Sequence, residues 1–208
     1  MQTDTEFTED QSLKEGVINM EVTCQNSSWA SVPVTHVSLI GGLGWGLIGG
    51  LAGTMVMDIV LMVALPVAGL PALTCFSIVG ETVASFFSMQ GVEMKDGVLL
   101  GVFTHYLIGP AAGAIFGAAV TQVKVLRPDT LRKSIILAVL YVQILSQPIL
   151  ATTPILLKMT ATTTLLWYGG SSVMHTVLGF VLGVIISYGL HSAAALKHRC
   201  SGAQRLEN

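Results

Sequence analysis

Charged side chains are scarce in this chain. Only 11% of the 208 residues are charged, 52% are hydrophobic, and the mean hydropathy is +0.71. A soluble globular domain carries about 25% charged residues. A chain this poor in charge cannot cover itself with a hydrated surface, so the composition predicts a membrane protein of one domain. The net charge of −2 comes without a basic stripe, which argues against nucleic acid as a partner.

Cysteine pairs, a signal peptide and catalytic motifs are also missing from the sequence. Cys24, Cys75 and Cys200 form no CxxC pair and are expected to be free thiols. Residues 1–36 hold six acidic residues against Lys14, whereas a signal peptide needs a basic start and a short apolar core. We expect this segment to be a polar, disordered tail. No HExxH, Walker loop, nucleophile elbow or dinucleotide fingerprint is present, so no enzyme is predicted.

Long apolar segments account for most of the remaining chain. A spanning helix needs about 20 mainly apolar residues. The sequence therefore predicts an all-α polytopic bundle over residues 37–192, with spans at about 41–65, 97–121, 132–153 and 170–190. Residues 72–89 are shorter and contain Glu81, so we expect a short interfacial or re-entrant helix there. A rival interpretation has this helix crossing as a fifth span.

Lysine and arginine counts predict the orientation. With four spans, one side carries both termini and eight basic residues, and the other side carries Lys95 and Lys158. Cytoplasmic loops are enriched in these residues. We therefore expect a multi-pass protein of the cell membrane with both termini cytoplasmic, including a C-terminal tail over 193–208. The eight are Lys14, Lys124, Arg127, Arg132, Lys133, Lys197, Arg199 and Arg205.

Polar residues inside the spans are expected to meet at one depth. His105 and His175 each begin a His-x3-Gly pattern, which suggests two loosely related halves. Because successive spans run in opposite directions, Asp58, His105, Gln147 and His175 all fall in the outer half of the bundle, where Glu81 could join them. Ionisable residues in a membrane are costly and face other helices or a cavity.

Several roles for this polar cluster remain open from the sequence. A buried Asp–His hydrogen bond could simply lock the bundle. The same groups could carry protons across the membrane, or line a cavity. Carboxylate and imidazole also suit a transition metal, which would bind at Asp58, His105 and His175. The sequence requires no cofactor.

Glycines spaced by four residues form strips on three of the spans. Such strips let helix backbones approach closely, which drives helix association in membranes. We expect them to pack the four spans together. The strips are Gly42, Gly46 and Gly50; Gly49 and Gly53; Gly109, Gly113 and Gly117; and Gly179 and Gly183.

Two stretches carry a resemblance to other proteins. GLIGGLAGTMVMDIVLMVALPVAGLP followed by GVFTHYLIGPAAGAIFGAAV resembles a loosely defined group of small archaeal and bacterial integral membrane proteins of unknown function. The likeness covers about residues 41–121, with a fainter echo at His175. It implies a four-helix bundle and no established activity.

Two functions from different classes fit these observations. The first is a non-catalytic accessory or scaffold subunit of a larger membrane complex, such as a membrane monooxygenase or a respiratory-type complex. It would contact membrane lipid and other membrane subunits, or a second copy of itself. The alternative is a small transporter or a metal- or proton-handling protein that uses the intramembrane Asp/His cluster.

Overall fold

A computed structural model describes residues 38–95 and 97–206, with side chains through residue 192. The acidic tail predicted over residues 1–36 lies outside the described residues. The helical backbone runs on through the predicted C-terminal tail as far as Leu206, so this segment continues the last helix.

Five α-helices make up the described chain, which confirms the predicted all-α class. They are α1 (Leu39–Val67), α2 (Thr74–Ser88), α3 (Val98–Gln122), α4 (Leu131–Leu156) and α5 (Ala161–Leu206), with a 3-10 turn at Lys124–Leu126. Four are long and apolar enough to cross a membrane: α1, α3, α4 and the Ala161–Ser192 part of α5. The 15-residue α2 is the exception, as expected for 72–89.

Hydroxyl side chains start three of the long helices. The Ser38 hydroxyl accepts a hydrogen bond from Gly41 N at 3.1 Å before α1, and the Thr130 hydroxyl accepts one from Lys133 N at 3.2 Å before α4. Thr160 does the same for Thr163 N before α5. Each satisfies a backbone N–H that the first turn leaves without an intrahelical partner.

Contacts between the long helices fix their directions. Gly42 at the start of α1 lies against Thr121 at the end of α3, whereas Asp58 near the end of α1 contacts His105 near the start of α3. The two helices are therefore antiparallel, and α2 connects them at one end of the bundle. We call this the α2 end, and the opposite one the basic end, after Lys124, Arg127, Arg132 and Lys133. Since α2 starts and finishes on one side, the four-span prediction is confirmed over the five-span rival.

Two helix boundaries differ from the predictions. The last span begins at Ala161 rather than near residue 170, because the threonine-rich segment assigned to a connection is helical. Threonine disfavours helix only mildly, and the Thr160 cap outweighs that preference. The helix α4 continues to Leu156 with Pro148 and Pro154 inside it, although the span was predicted to stop at 153. Prolines are tolerated within membrane helices.

Two glycine strips on α1 pack against different neighbours. Gly42, Gly46 and Gly50 face α3, whereas Gly49 and Gly53 face Leu182 and Leu178 of α5. Gly179 and Gly183 of α5 lie against the backbone of Val139 and Ile135 of α4. A Cβ added to either glycine would lie 2.6 Å from the Cα of the α4 residue that it faces. The predicted packing role of these glycines matches their positions. Between the helices lies an apolar core that includes Phe116, Val120, Val142, Leu182, Ile186 and Leu190.

Candidate functional site

A regular ladder of small residues leads along α1 and α3 to the polar site. Each step of four residues along α1 is matched by a step of four residues back along α3, which keeps the same faces in contact at about one helical turn per step. An added Cβ would lie 3.0 Å from Gly46 Cα if placed on Gly117, 2.7 Å from Gly50 Cα if placed on Gly113, and 3.2 Å from Thr54 Cβ if placed on Gly109. The next pair in this register is Asp58 and His105.

Asp58 and His105 form a hydrogen-bonded pair in which Asp58 is buried and His105 is half-buried. His105 Nδ1 lies 3.0 Å from Asp58 Oδ1. In the tautomer with its hydrogen on Nδ1, His105 donates this bond and the carboxylate oxygen accepts it. The Asp58 residue is 4% exposed, and its second oxygen, Oδ2, is buried without a hydrogen-bond donor among the described residues. A buried acceptor left without a donor costs free energy, and more so when it is charged.

The first turn of α2 covers this pair from the α2 end. The Phe76 ring meets the His105 ring edge to face, with centroids 5.2 Å apart. Cys75 of α2 and Tyr106 of α3 both lie near Asp58, and the Tyr106 hydroxyl is a potential hydrogen-bond donor to its carboxylate, although it makes no hydrogen bond to Oδ2 in this structure. Burial, with a smaller contribution from Asp58, raises the pKa of the Cys75 thiol to about 11. The thiol is therefore protonated at neutral pH and is a poor nucleophile.

His175 lies near the pair but makes no hydrogen bond to it. The contacts of Gly53 with Leu178 place Asp58 about level with residue 173, so His175 is roughly 3 Å away in depth. It lies near His105, while its Nδ1 donates to Ser171 O at 2.8 Å. The structure therefore places His175 at a similar depth, on a neighbouring helix and bonded within its own turn.

Gln143 is a polar residue of this depth that the predicted cluster omits. Its amide nitrogen donates to Ser172 O at 2.7 Å and to Thr176 Oγ1 at 2.9 Å, so it ties α4 to α5 beside His175. The register of Gly179 against Val139 and Gly183 against Ile135, continued by one turn, brings Gln143 opposite His175. The four-residue spacing of Gly179 and Gly183 is therefore the sequence signal that could have identified Gln143 as a residue of this depth.

Gln147 and Glu81 do not join the pair. The Gln147 side chain is exposed and bonds to Gln143 O of its own helix. The Glu81 carboxylate accepts a hydrogen bond from Ser77 Oγ at 2.8 Å, one turn back along α2. Neither side chain contacts the pair, because Gln147 lies on the exposed face of α4 and Glu81 is bonded within α2.

The proposed metal site does not form from these side chains. Within residues 38–95 and 97–192, no three His, Cys, Asp or Glu side chains are grouped as ligands of a metal ion. The hydrogen bond of His175 to its own helix and the separation of Glu81 explain this result. A transition metal at Asp58, His105 and His175 is therefore not supported by the arrangement of the ligands.

The chain matches no protein-family model, no curated protein and no solved structure. The resemblance to small archaeal and bacterial membrane proteins thus stays a prediction. Function has to be argued from the Asp58–His105 pair and its surroundings.

Proposed function

We propose that this protein is a small proton-handling membrane protein of the transporter class, in which the Asp58–His105 pair binds and releases a proton. The observation that carries the proposal is the buried Asp58 Oδ2, which has no donor among the described residues. If the pair served only to hold two helices together, a hydrogen-bond donor to each carboxylate oxygen would make it more stable. Protonation of Oδ2 removes the buried charge, and the bond from His105 to Oδ1 can persist.

Size and ligand number favour a proton over a metal ion or a larger cation. Asp58 is 4% exposed, and the residue one turn before it, Thr54, is in contact with Gly109. A metal ion needs several ligands around it, and one carboxylate with one imidazole does not provide them. A proton needs neither volume nor further ligands.

Infrared difference spectroscopy of the protein in lipid nanodiscs tests this function. We expect a carboxyl C=O band to appear on acidification and to be absent from Asp58→Asn. The matched control is Glu81→Gln, because Glu81 is a partly buried carboxylate that bonds only within α2. This control should retain the Asp58 band. Spectra of parent and Asp58→Asn that do not differ would refute the proposal.

The orientation proposed here follows the basic residues. The basic end carries Lys124, Arg127, Arg132 and Lys133, and Asp129 offsets only Lys133, through a 2.9 Å ion pair. We assign this end to the cytoplasmic side of the cell membrane. Both chain termini would then be cytoplasmic, and α2 would lie at the outer side.

An accessory-subunit role is the second candidate function, and one surface favours it. In the first turns of α5, Gly169 and Gly170 have nothing within 4 Å of an added Cβ, and Leu165 and Leu166 are 74% and 71% exposed. Small residues on an open helix face allow another helix to approach closely. Purification in mild detergent with mass spectrometry tests this role. A chain that co-purifies in fixed stoichiometry, and is lost from Gly170→Leu, would support it.

A further inference from the structure

We infer that the proton reaches and leaves Asp58 only through the α2 end of the bundle, with α2 as the cover that opens. The inference rests on the proposed function, since it takes Asp58 as the proton acceptor. It adds a direction and a moving element to that site.

The interface between α1 and α3 is closed toward the basic end. From Asp58 back to Gly42 the helices run in contact for about 24 Å. Within this length, Gly50 Cα lies 2.7 Å from the position of a Cβ on Gly113, and Gly46 Cα lies 3.0 Å from that of a Cβ on Gly117. Backbones this close leave no room for a file of water molecules between them.

The remaining helices seal the basic half with apolar side chains. Leu182, Ile186 and Leu190 of α5 are fully buried against Phe116 and Val120 of α3 in one continuous core. Water does not favour apolar surroundings, so this core offers it no path.

Hydroxyl groups in this half are tied to backbone carbonyls. Thr54 donates to Gly50 O at 2.9 Å, Ser134 to Gly183 O at 2.8 Å and Tyr141 to Ala112 O at 3.0 Å. A relay needs side chains or waters that can exchange donors along a path. Because each of these three hydroxyls donates its hydrogen to a backbone carbonyl, they offer no such chain toward the basic end.

The α2 end is closed by a short helix that Gly80 and Gly101 place in close backbone contact with α3, while its contact with α4 is slight. Gly69 and Gly91, with φ of +77° and +79°, form the turns on either side of α2. The Phe76 ring covers His105, and a hydrogen bond of 3.3 Å between the Thr82 and Thr153 hydroxyls ties α2 to α4. A helix of 15 residues held in this way can move without unpacking the four spans.

Other titratable groups face the pair from three helices. Cys75 belongs to α2, Tyr106 to α3 and His175 to α5, whereas Glu81 of α2 lies apart from the pair. Glu81 is bonded to Ser77 and His175 to Ser171 O. No carboxylate, histidine, lysine or arginine of α4 lies at this depth, because the charged residues of that helix are Arg132 and Lys133 at its start. Asp58 is therefore the acceptor that α2 covers.

A disulfide that locks α2 to α4 tests the direction of access. The variant is Thr82→Cys/Thr153→Cys in a background where Cys24 and Cys200 are changed to serine and Cys75, which lies beside Asp58, is kept. In nanodiscs both membrane faces meet the solvent, so a route from the basic end would stay open. After a drop in pH, the Asp58 infrared band should rise about tenfold more slowly, or slower still, when the pair is oxidised. Reduction should restore the parent rate.

A second variant should act in the opposite direction. In Gly80→Ala the new Cβ would lie 3.1 Å from Gly101 N, pushing α2 away from α3, so the band should rise faster than in the parent. An oxidised, cross-linked protein that is protonated at the parent rate would overturn the inference and leave the proposed function standing. Loss of the Asp58 band from the serine background itself would overturn the proposed function.

Discussion

Asp58 and His105 occupy the position in the α1–α3 register where the next pair of small residues would otherwise fall. Thr54 and Gly109 precede them by one turn, and Gly50 and Gly113 by two. The close approach that the glycines allow brings the carboxylate to 3.0 Å from the imidazole and at the same time excludes water from Asp58 Oδ2. Packing and chemistry therefore depend on the same helix contact.

The two partners of the pair should respond differently to substitution. Asp58→Asn keeps a carbonyl oxygen that accepts from His105 and removes the buried charge, so the free energy of unfolding should change little. His105→Leu leaves both carboxylate oxygens without a donor and should lower it by about 1–3 kcal/mol. Denaturation in mild detergent measures both. An unchanged stability of His105→Leu would show that the hydrogen bond contributes nothing.

Substitution within the glycine ladder should separate α1 from α3. Gly113→Leu places a side chain against the backbone of Gly46 and Gly50, and overpacking of this kind costs typically 1–3 kcal/mol. The matched control is Gly44→Leu, because nothing lies within 4 Å of a Cβ there. Thermal melting and the yield in the membrane fraction should fall for Gly113→Leu alone. Equal yields and melting temperatures for both variants would place the ladder on a lipid-facing surface.

Gln143 should stabilise the α4–α5 contact, and Gln147 should not. Gln143→Leu removes two hydrogen bonds to α5, whereas Gln147 bonds only to its own helix. A double-mutant cycle with Thr176→Val should give a coupling energy of about 0.6 kcal/mol, the average for such bonds in a membrane protein. Gln147→Leu is the matched control, because it loses the same amide group without losing a hydrogen bond to α5. A larger destabilisation from Gln147→Leu would contradict this assignment.

Labelling of native cysteines tests the orientation. Cys24 and Cys200 lie beyond the two ends of the spanning region and should both be cytoplasmic. Neither should react with a membrane-impermeant thiol reagent in intact cells, and both should react once the membrane is opened. Reaction of either residue in intact cells would reverse or break the proposed topology.

Fold class and span number could be predicted because they follow from composition and segment length. The depth of Asp58 and His105 could be derived in the same way, since the alternating direction of the spans fixes it within a turn. What a helix faces at that depth depends on rotation, and one residue turns a side chain by about 100°. For this reason the sequence predicts Gln147 rather than Gln143 for the cluster, and it predicts that His175 meets Asp58 and His105.

The threonine-rich start of α5 shows a second limit. Propensity alone left residues 154–169 as a connection, yet one hydroxyl cap and the apolar context extend the helix to Ala161. Local preferences of threonine are small beside these terms. The unsatisfied Asp58 Oδ2 could not be predicted at all, because it depends on which donors the folded helices bring near.

Proton binding measured directly on the purified protein tests the central claim. Parent and Asp58→Asn in nanodiscs would be titrated in weakly buffered solution from about pH 8 to about pH 2.5, a range that extends past the reference pKa values of imidazole and carboxyl groups. At the acidic end, we expect the parent to have bound one more proton per chain than Asp58→Asn. We expect Glu81→Gln to retain the proton that depends on Asp58. Identical uptake by parent and Asp58→Asn would contradict the account.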